Sequence, residues 1–148
     1  MSRTVPGRPV DVLMVEDSPT DAELAELAIQ DAKVQIAMDI VEDGFQAMAY
    51  LRNEGNYADR PTPNLVILDL NLPGKDGREV LEEIRSDENL THLPVVILTT
   101  SEDERDIYEA YKQHVNAFIT KPVDFDQLVK VIKQIEEFWF GLAKLPRK

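Results

Sequence analysis

Four short aliphatic runs in this chain end in residues able to do chemistry together. Val10 to Val15 is followed by Glu16-Asp17, Leu65 to Leu70 carries Asp69 near its end, Val95 to Leu98 runs into Thr99-Thr100, and Ala117 to Ile119 into Thr120-Lys121-Pro122. Three carboxylates forced together repel one another, so they either take up protons or hold a cation. A hard divalent ion suits such a set. Mg²⁺ (or Mn²⁺) accepts one or two carboxylates, keeps several waters and leaves room for phosphate oxygens. The formal charge then nearly balances, three negative charges against two on the metal and one on Lys121, and the site is ready for an anion. Each motif alone has a plainer reading: a solvated acidic loop, a helix cap, a Lys-Pro turn. Their recurrence at four strand ends is what points to a site.

Such residues meet only if the elements carrying them share one rim. The runs Val10 to Val15, Ile36 to Val41, Leu65 to Leu70, Val95 to Leu98 and Ala117 to Ile119 alternate with segments whose apolar residues recur every three or four positions. These helical segments are Pro19 to Asp31, Phe45 to Asn53, Gly77 to Ser86, Glu104 to His114 and Asp126 to about Phe140. Ser18-Pro19-Thr20-Asp21 offers a capping hydroxyl and a proline at the first helical position, while Ser101 to Glu104 and Asp124 to Gln127 resemble capping boxes. The pattern predicts an α/β fold, a doubly wound five-stranded parallel sheet with helices on both faces. Leu65 to Leu68 and Val95 to Leu98 lack polar alternation, so they belong at the sheet centre. Ligands of such sheets bind outside the carboxyl ends of the strands, where the polar residues cluster.

At 148 residues, with 43% hydrophobic and 30% charged residues, the chain has the size and composition of one globular domain. We expect a flexible N-terminal segment over 1–9, the domain over 10–142 and a C-terminal tail over 143–148, with 55–63 as a surface loop. The net charge of -12 argues against nucleic-acid binding, which depends on Lys and Arg neutralising phosphates. No cysteine is present, which excludes disulfides and thiolate chemistry. No apolar run approaches the roughly 20 residues that span a bilayer, and Met1 to Pro9 has no signal-peptide stretch, so no membrane role and a cytoplasmic location are expected. The stretch from Asp69 fails as a calcium loop, with Pro73 and Val80 at required ligand positions. Phosphate-binding glycine loops are absent, and His92 and His114 have no metal-ligand spacing.

Together these segments resemble the receiver domains of two-component response regulators. Glu16-Asp17, Asp69 to Gly77, Pro94 to Ser101 and Phe118 to Pro122 are similar to that family's signature segments, in the right order and over about Val10 to Leu142. The resemblance implies strand order 2-1-3-4-5 and a phosphoacceptor, Asp69, that attacks a phosphohistidine on a sensor histidine kinase. It further implies metal ligation by Asp17, Asp69 and the Asn71 main-chain carbonyl, with Glu16 acting through water. Lys121 would pair with Asp69 and then with the phosphoryl group, to which Thr99 would donate its hydroxyl. Movement of Thr99 would let Phe118 change position, carrying the signal to the fourth helix, fifth strand and fifth helix. Three residues depart from the family pattern. Phe118 stands where tyrosine is frequent, Glu16 where Asp is more common, and His114 where a glycine usually ends the fourth helix, which puts that helix end in question.

Phe138, Trp139 and Phe140 are consecutive on the last helix and, at about 100° per residue, cannot all face the core. They are candidate interface residues. The tail and Leu98 to Ser101 are similar to single-domain regulators that serve bacterial phytochromes, implying a phytochrome kinase as partner and a homodimer through the fourth-helix, fifth-strand and fifth-helix side. The expected function is a phosphorylation switch in a phosphorelay rather than an enzyme acting on external substrates. Two alternatives stand beside it: a metal-dependent phosphatase with an aspartyl nucleophile, disfavoured by Asn71 where a second Asp is needed, and a non-phosphorylated structural dimer.

Overall fold

The computed structural model describes residues 10–30, 35–121 and 124–143, with the backbone alone at 135, 136 and 138–143. Five parallel strands, β1 (Val10–Val15), β2 (Ile36–Val41), β3 (Leu65–Leu68), β4 (Val95–Thr99) and β5 (Ala117–Thr120), form one sheet in the order β2-β1-β3-β4-β5. Helices α1 (Pro19–Ile29), α2 (Gly44–Leu51), α3 (Gly77–Ser86), α4 (Glu104–Lys112) and α5 (Phe125–Ala143) connect or follow them. The strand order reverses between β1 and β3, and this is the crevice in which a doubly wound sheet binds its ligand.

Side chains alternate across each strand and build two cores. Leu13, Val15, Val66, Leu68, Val95 and Ile97 face α2, α3 and the start of the β5 connection, while Val12, Met14, Ile67, Val96 and Leu98 face α1 and α5. β3 and β4 are buried throughout, as their unbroken aliphatic runs predict. β5 lies at an edge and is only half-buried.

The element boundaries follow local chemistry. Ser18 caps α1 by accepting the Asp21 N–H, with Pro19 in the first turn. Asp124 and Gln127 cap α5 reciprocally, each side chain accepting the other's N–H at 2.8 Å. One start differs from expectation: α4 is capped by Asp103, with Ser101 turned to other partners. α3 spans Gly77–Ser86 as expected and opens on a capping box between Asp76 and Glu79. β3 ends at Leu68, two residues short of the expected Leu70, although the Asp69 N–H still donates to the Val15 carbonyl at 3.1 Å before the chain turns away.

The end of α4 settles the question raised by His114. His114 takes a left-handed φ of 62°. Its N–H donates to Tyr111 O at 3.0 Å and that of Val115 to Ala110 O at 3.4 Å, while Ala110 and Val115 are both buried. This is the glycine-type helix ending made with a histidine, at the steric cost of a Cβ in that region. Arg85 supports the turn from α3, donating to the Gln113 carbonyl at 2.5 Å and to those of Thr91, Leu93 and His114 at 2.8–3.2 Å.

Candidate functional site

Register brings the strand-end residues together. Val15 pairs with Leu68, so Glu16 and Asp69 follow side by side on adjacent strands, and Thr99 pairs with Thr120, which places Lys121 at the same rim. Glu16, Asp69, Thr99 and Lys121 are all buried, whereas Asp17 is exposed. Gly77 allows the close packing beneath: a Cβ there would lie 2.2 Å from the Asp69 carbonyl oxygen and 2.6 Å from Leu70 Cα. Only hydrogen fits where the start of α3 meets the Asp69 and Leu70 backbone, and the Gly77 N–H donates to the Leu70 carbonyl at 3.0 Å.

Lys121 Nζ lies 2.7 Å from Glu16 Oε1, 2.8 Å from Asp21 Oδ2 and 3.2 Å from Asp69 Oδ2. Burial disfavours the ammonium, but the Asp21 and Glu16 carboxylates more than compensate and hold it above the usual lysine range. Glu16 shows the opposite balance. Burial pushes its carboxyl above the usual carboxylate range, and the bonds from Lys121 and the Ser18 N–H only partly offset this. Both its oxygens have protein donors, Lys121 Nζ on Oε1 and the Ser18 N–H on Oε2 at 3.1 Å. Asp69 Oδ1 accepts the Asn71 N–H at 3.0 Å.

One ligand oxygen each from Glu16, Asp17 and Asp69 lies within 4.8 Å of the others. Such a hard-oxygen set, with one ammonium against several carboxylates, has the chemistry for a divalent cation of the Mg²⁺ or Mn²⁺ type. Among the sequence-derived candidates, Asp17, Asp69, Glu16, Lys121 and Thr99 converge, and Asn71 stands on the loop just beyond. The Asn71 amide donates to the hydroxyls of Thr99 and Thr100 at 3.3 and 3.1 Å, and the Ser101 N–H donates to Thr99 Oγ1 at 3.4 Å. Phe118 is half-buried against the α2–α3 side core. Phe138, Trp139 and Phe140 lie outside the described side chains, and Pro122, the segment expected at 1–9 and residues 144–148 of the tail expected at 143–148 lie outside the described residues.

Two features escaped sequence reasoning. Asp21 reads as a first-turn acid of α1, and nothing in its spacing announces a bond to a lysine one hundred residues later. Arg78 is the other: it forks onto Asp106 at 2.8 and 2.6 Å and reaches back to Asp76 and the Leu70 carbonyl. Asp106 also accepts the Ser101 hydroxyl at 2.6 Å. Arg78 thereby ties the loop after Asp69 to the start of α4, and it pulls the Asp106 carboxyl down to about 2.

Two buried acids, Glu16 and Asp69, and a buried lysine, Lys121, thus meet at the switch point of a doubly wound sheet of order 2-1-3-4-5. The chain belongs to the response regulator receiver domain family, whose model matches residues 12–133. It is 44% identical over 138 residues to the response regulator Rcp1 of Synechocystis sp., covering 93% of this chain and 94% of that protein. Among solved structures, it is similar to the phosphorylated cyanobacterial phytochrome response regulator RcpA, with a TM-score of 0.83, 48% identity and coverage of 95% and 100% of the two chains. The Mn²⁺-bound form of Rcp1 superposes with a TM-score of 0.82 at 43% identity, covering 94% of this chain and 100% of that one. Among the described residues no helix is long and apolar enough to cross a membrane.

Proposed function

We propose that this chain is a cytoplasmic phosphorylation switch that accepts a phosphoryl group on Asp69 from a sensor histidine kinase. An Asp69 carboxylate oxygen attacks phosphorus, the bond to the kinase imidazole nitrogen breaks, and an aspartyl phosphate forms. The carrying observation is Lys121 Nζ bonded to both Glu16 and Asp69 in the buried crevice between β1 and β3. In this reading the domain spans 10–142 and catalyses its own phosphorylation and dephosphorylation.

Asp17, Asp69 and the Asn71 carbonyl would hold Mg²⁺ or Mn²⁺, with Glu16 linked through water because both its oxygens already accept protein donors. The ion would supply positive charge against the phosphoryl oxygens, as in other phosphoryl transfers. The chain's own groups do the rest. Lys121 donates to the phosphoryl group, and Thr99, whose Oγ1 accepts from the Asn71 amide and the Ser101 N–H, donates its hydroxyl proton to a phosphoryl oxygen. Inward movement of Thr99 frees space that Phe118 fills, which alters the β5 edge.

The likeness to RcpA and Rcp1 supports a phytochrome histidine kinase as phosphoryl donor. A homodimer through α4, β5 and α5 is supported by Tyr108 and Tyr111, which are 64% and 50% exposed on α4 beside the half-buried edge strand. The acceptor assignment is tested by intact mass after exposure to acetyl phosphate and Mg²⁺. The native chain gains one phosphate and Asp69→Asn gains none; a native chain left unmodified, or labelling that survives in Asp69→Asn, overturns it.

A further inference from the structure

A lysine ammonium has three N–H donors. Here three carboxylates compete for them, Glu16 at 2.7 Å, Asp21 at 2.8 Å and Asp69 at 3.2 Å, and the longest contact is the one to the acceptor. Glu16 and Asp69 belong to the cluster that can hold a metal ion; Asp21 does not. A divalent ion that draws on Asp69 therefore leaves two carboxylates competing for the ammonium, Glu16 within the cluster and Asp21 outside it, on the α1 side. Asp21 is fixed for this by the first turn of α1, where its N–H donates to Ser18 Oγ at 3.3 Å. Its side chain is about a third exposed (36%), so water can solvate the carboxylate once the ammonium leaves.

We infer that Asp21 is a positioning residue for phosphoryl transfer: it holds the Lys121 ammonium on the α1 side of the acceptor, and an arriving phosphoryl group must draw the ammonium away from it. Asp21 thus sets the reactivity of the site without touching the phosphoryl group, acting as a brake on labelling. This rests on Asp69 being the acceptor. With acetyl phosphate as donor, the anhydride P–O bond breaks, acetate leaves, and a new P–O bond forms to Asp69.

The test follows intact mass against time in acetyl phosphate at saturating Mg²⁺. Asp21→Asn keeps the shape, removes the charge and labels about three- to tenfold faster than native, the size of one partly exposed charge-assisted contact. Asp21→Glu, which restores the carboxylate, labels close to the native rate. In a Lys121→Ala background, followed over longer exposure, Asp21→Asn brings no gain. A purely structural Asp21 would change the melting temperature but not these rates. Labelling of Asp21→Asn at or below the native rate overturns the inference, as does an equal gain in the absence of Lys121. A native chain that takes no label overturns the acceptor reading and this inference with it, whereas normal native labelling with an unaltered Asp21→Asn rate overturns this inference alone.

Discussion

Two carboxylates in this molecule each bond a cation, and their acidities move in opposite directions. Asp106 faces the Arg78 fork near the surface and is pulled down to about 2. Glu16 bonds Lys121 in the crevice between β1 and β3, yet burial drives it above the ordinary range. At the α3–α4 contact one guanidinium serves Asp106 and Asp76, both with access to water. At the rim one ammonium is shared among Glu16, Asp21 and Asp69, with Asp17 close by. A satisfied pair fastens two helices; an undersupplied, buried cluster is held ready for a cation and then for an anion.

The largest expected effect comes from deepening the undersupply. Lys121→Met leaves buried acids without their cation and should destabilise the metal-free protein by about 3 kcal/mol in urea denaturation, with Mg²⁺ recovering part of the loss. Equal stability without metal would mean the cluster tolerates its own charge. Next comes Gly77→Ala, whose methyl meets the backbone of Asp69 and Leu70 and so disturbs the ground shared by both clusters. A loss of about 2–3 kcal/mol is expected, together with slower labelling of Asp69.

The Arg78–Asp106 pair should show itself through pH. Because the folded Asp106 is more acidic than its unfolded form, its contribution is present above the unfolded value near 4 and is lost as the pH falls toward about 2. Arg78→Ala should cost about 1–2 kcal/mol at neutral pH and remove that part of the acid dependence, measured by thermal denaturation from pH 5 to 2. Glu16 gives the opposite sign: stability linked to its raised value is present at low pH and is lost as the pH rises through the folded value. The smallest effect is a gain. His114→Gly relieves the left-handed strain after α4 but frees the unfolded chain, for a net stabilisation of about 0.5 kcal/mol.

The rim was legible because its signals are local and repeat: four aliphatic runs, each ending in Asp, Glu, Thr or Lys, give both the parallel sheet and the shared edge. β3 and β4 could be placed inside the sheet because no polar residue interrupts Leu65–Leu68 or Val95–Leu98. The satisfied cluster was not legible. Arg78 and Asp106 are 28 residues apart on different helices, and each reads as an ordinary charged surface position. Ser101 looked like a helix cap because hydroxyls usually are, but Asp103 takes that place and leaves Ser101 to Asp106. Asp21 carried a true local signal, an acid in a first helical turn, that hid a second use. His114 argued against a glycine-type helix ending, which Val115 packing and four Arg85 donations to nearby carbonyls maintain without a glycine.

The contrast between the clusters comes down to whether the rim needs a cation from outside. Calorimetric titration of Mg²⁺ into the native chain and Asp17→Asn decides this. One saturable site in the native chain, weakened at least about tenfold in Asp17→Asn, is the predicted result. A native chain that takes up no Mg²⁺, or an Asp17→Asn variant that binds it equally well, would contradict the account.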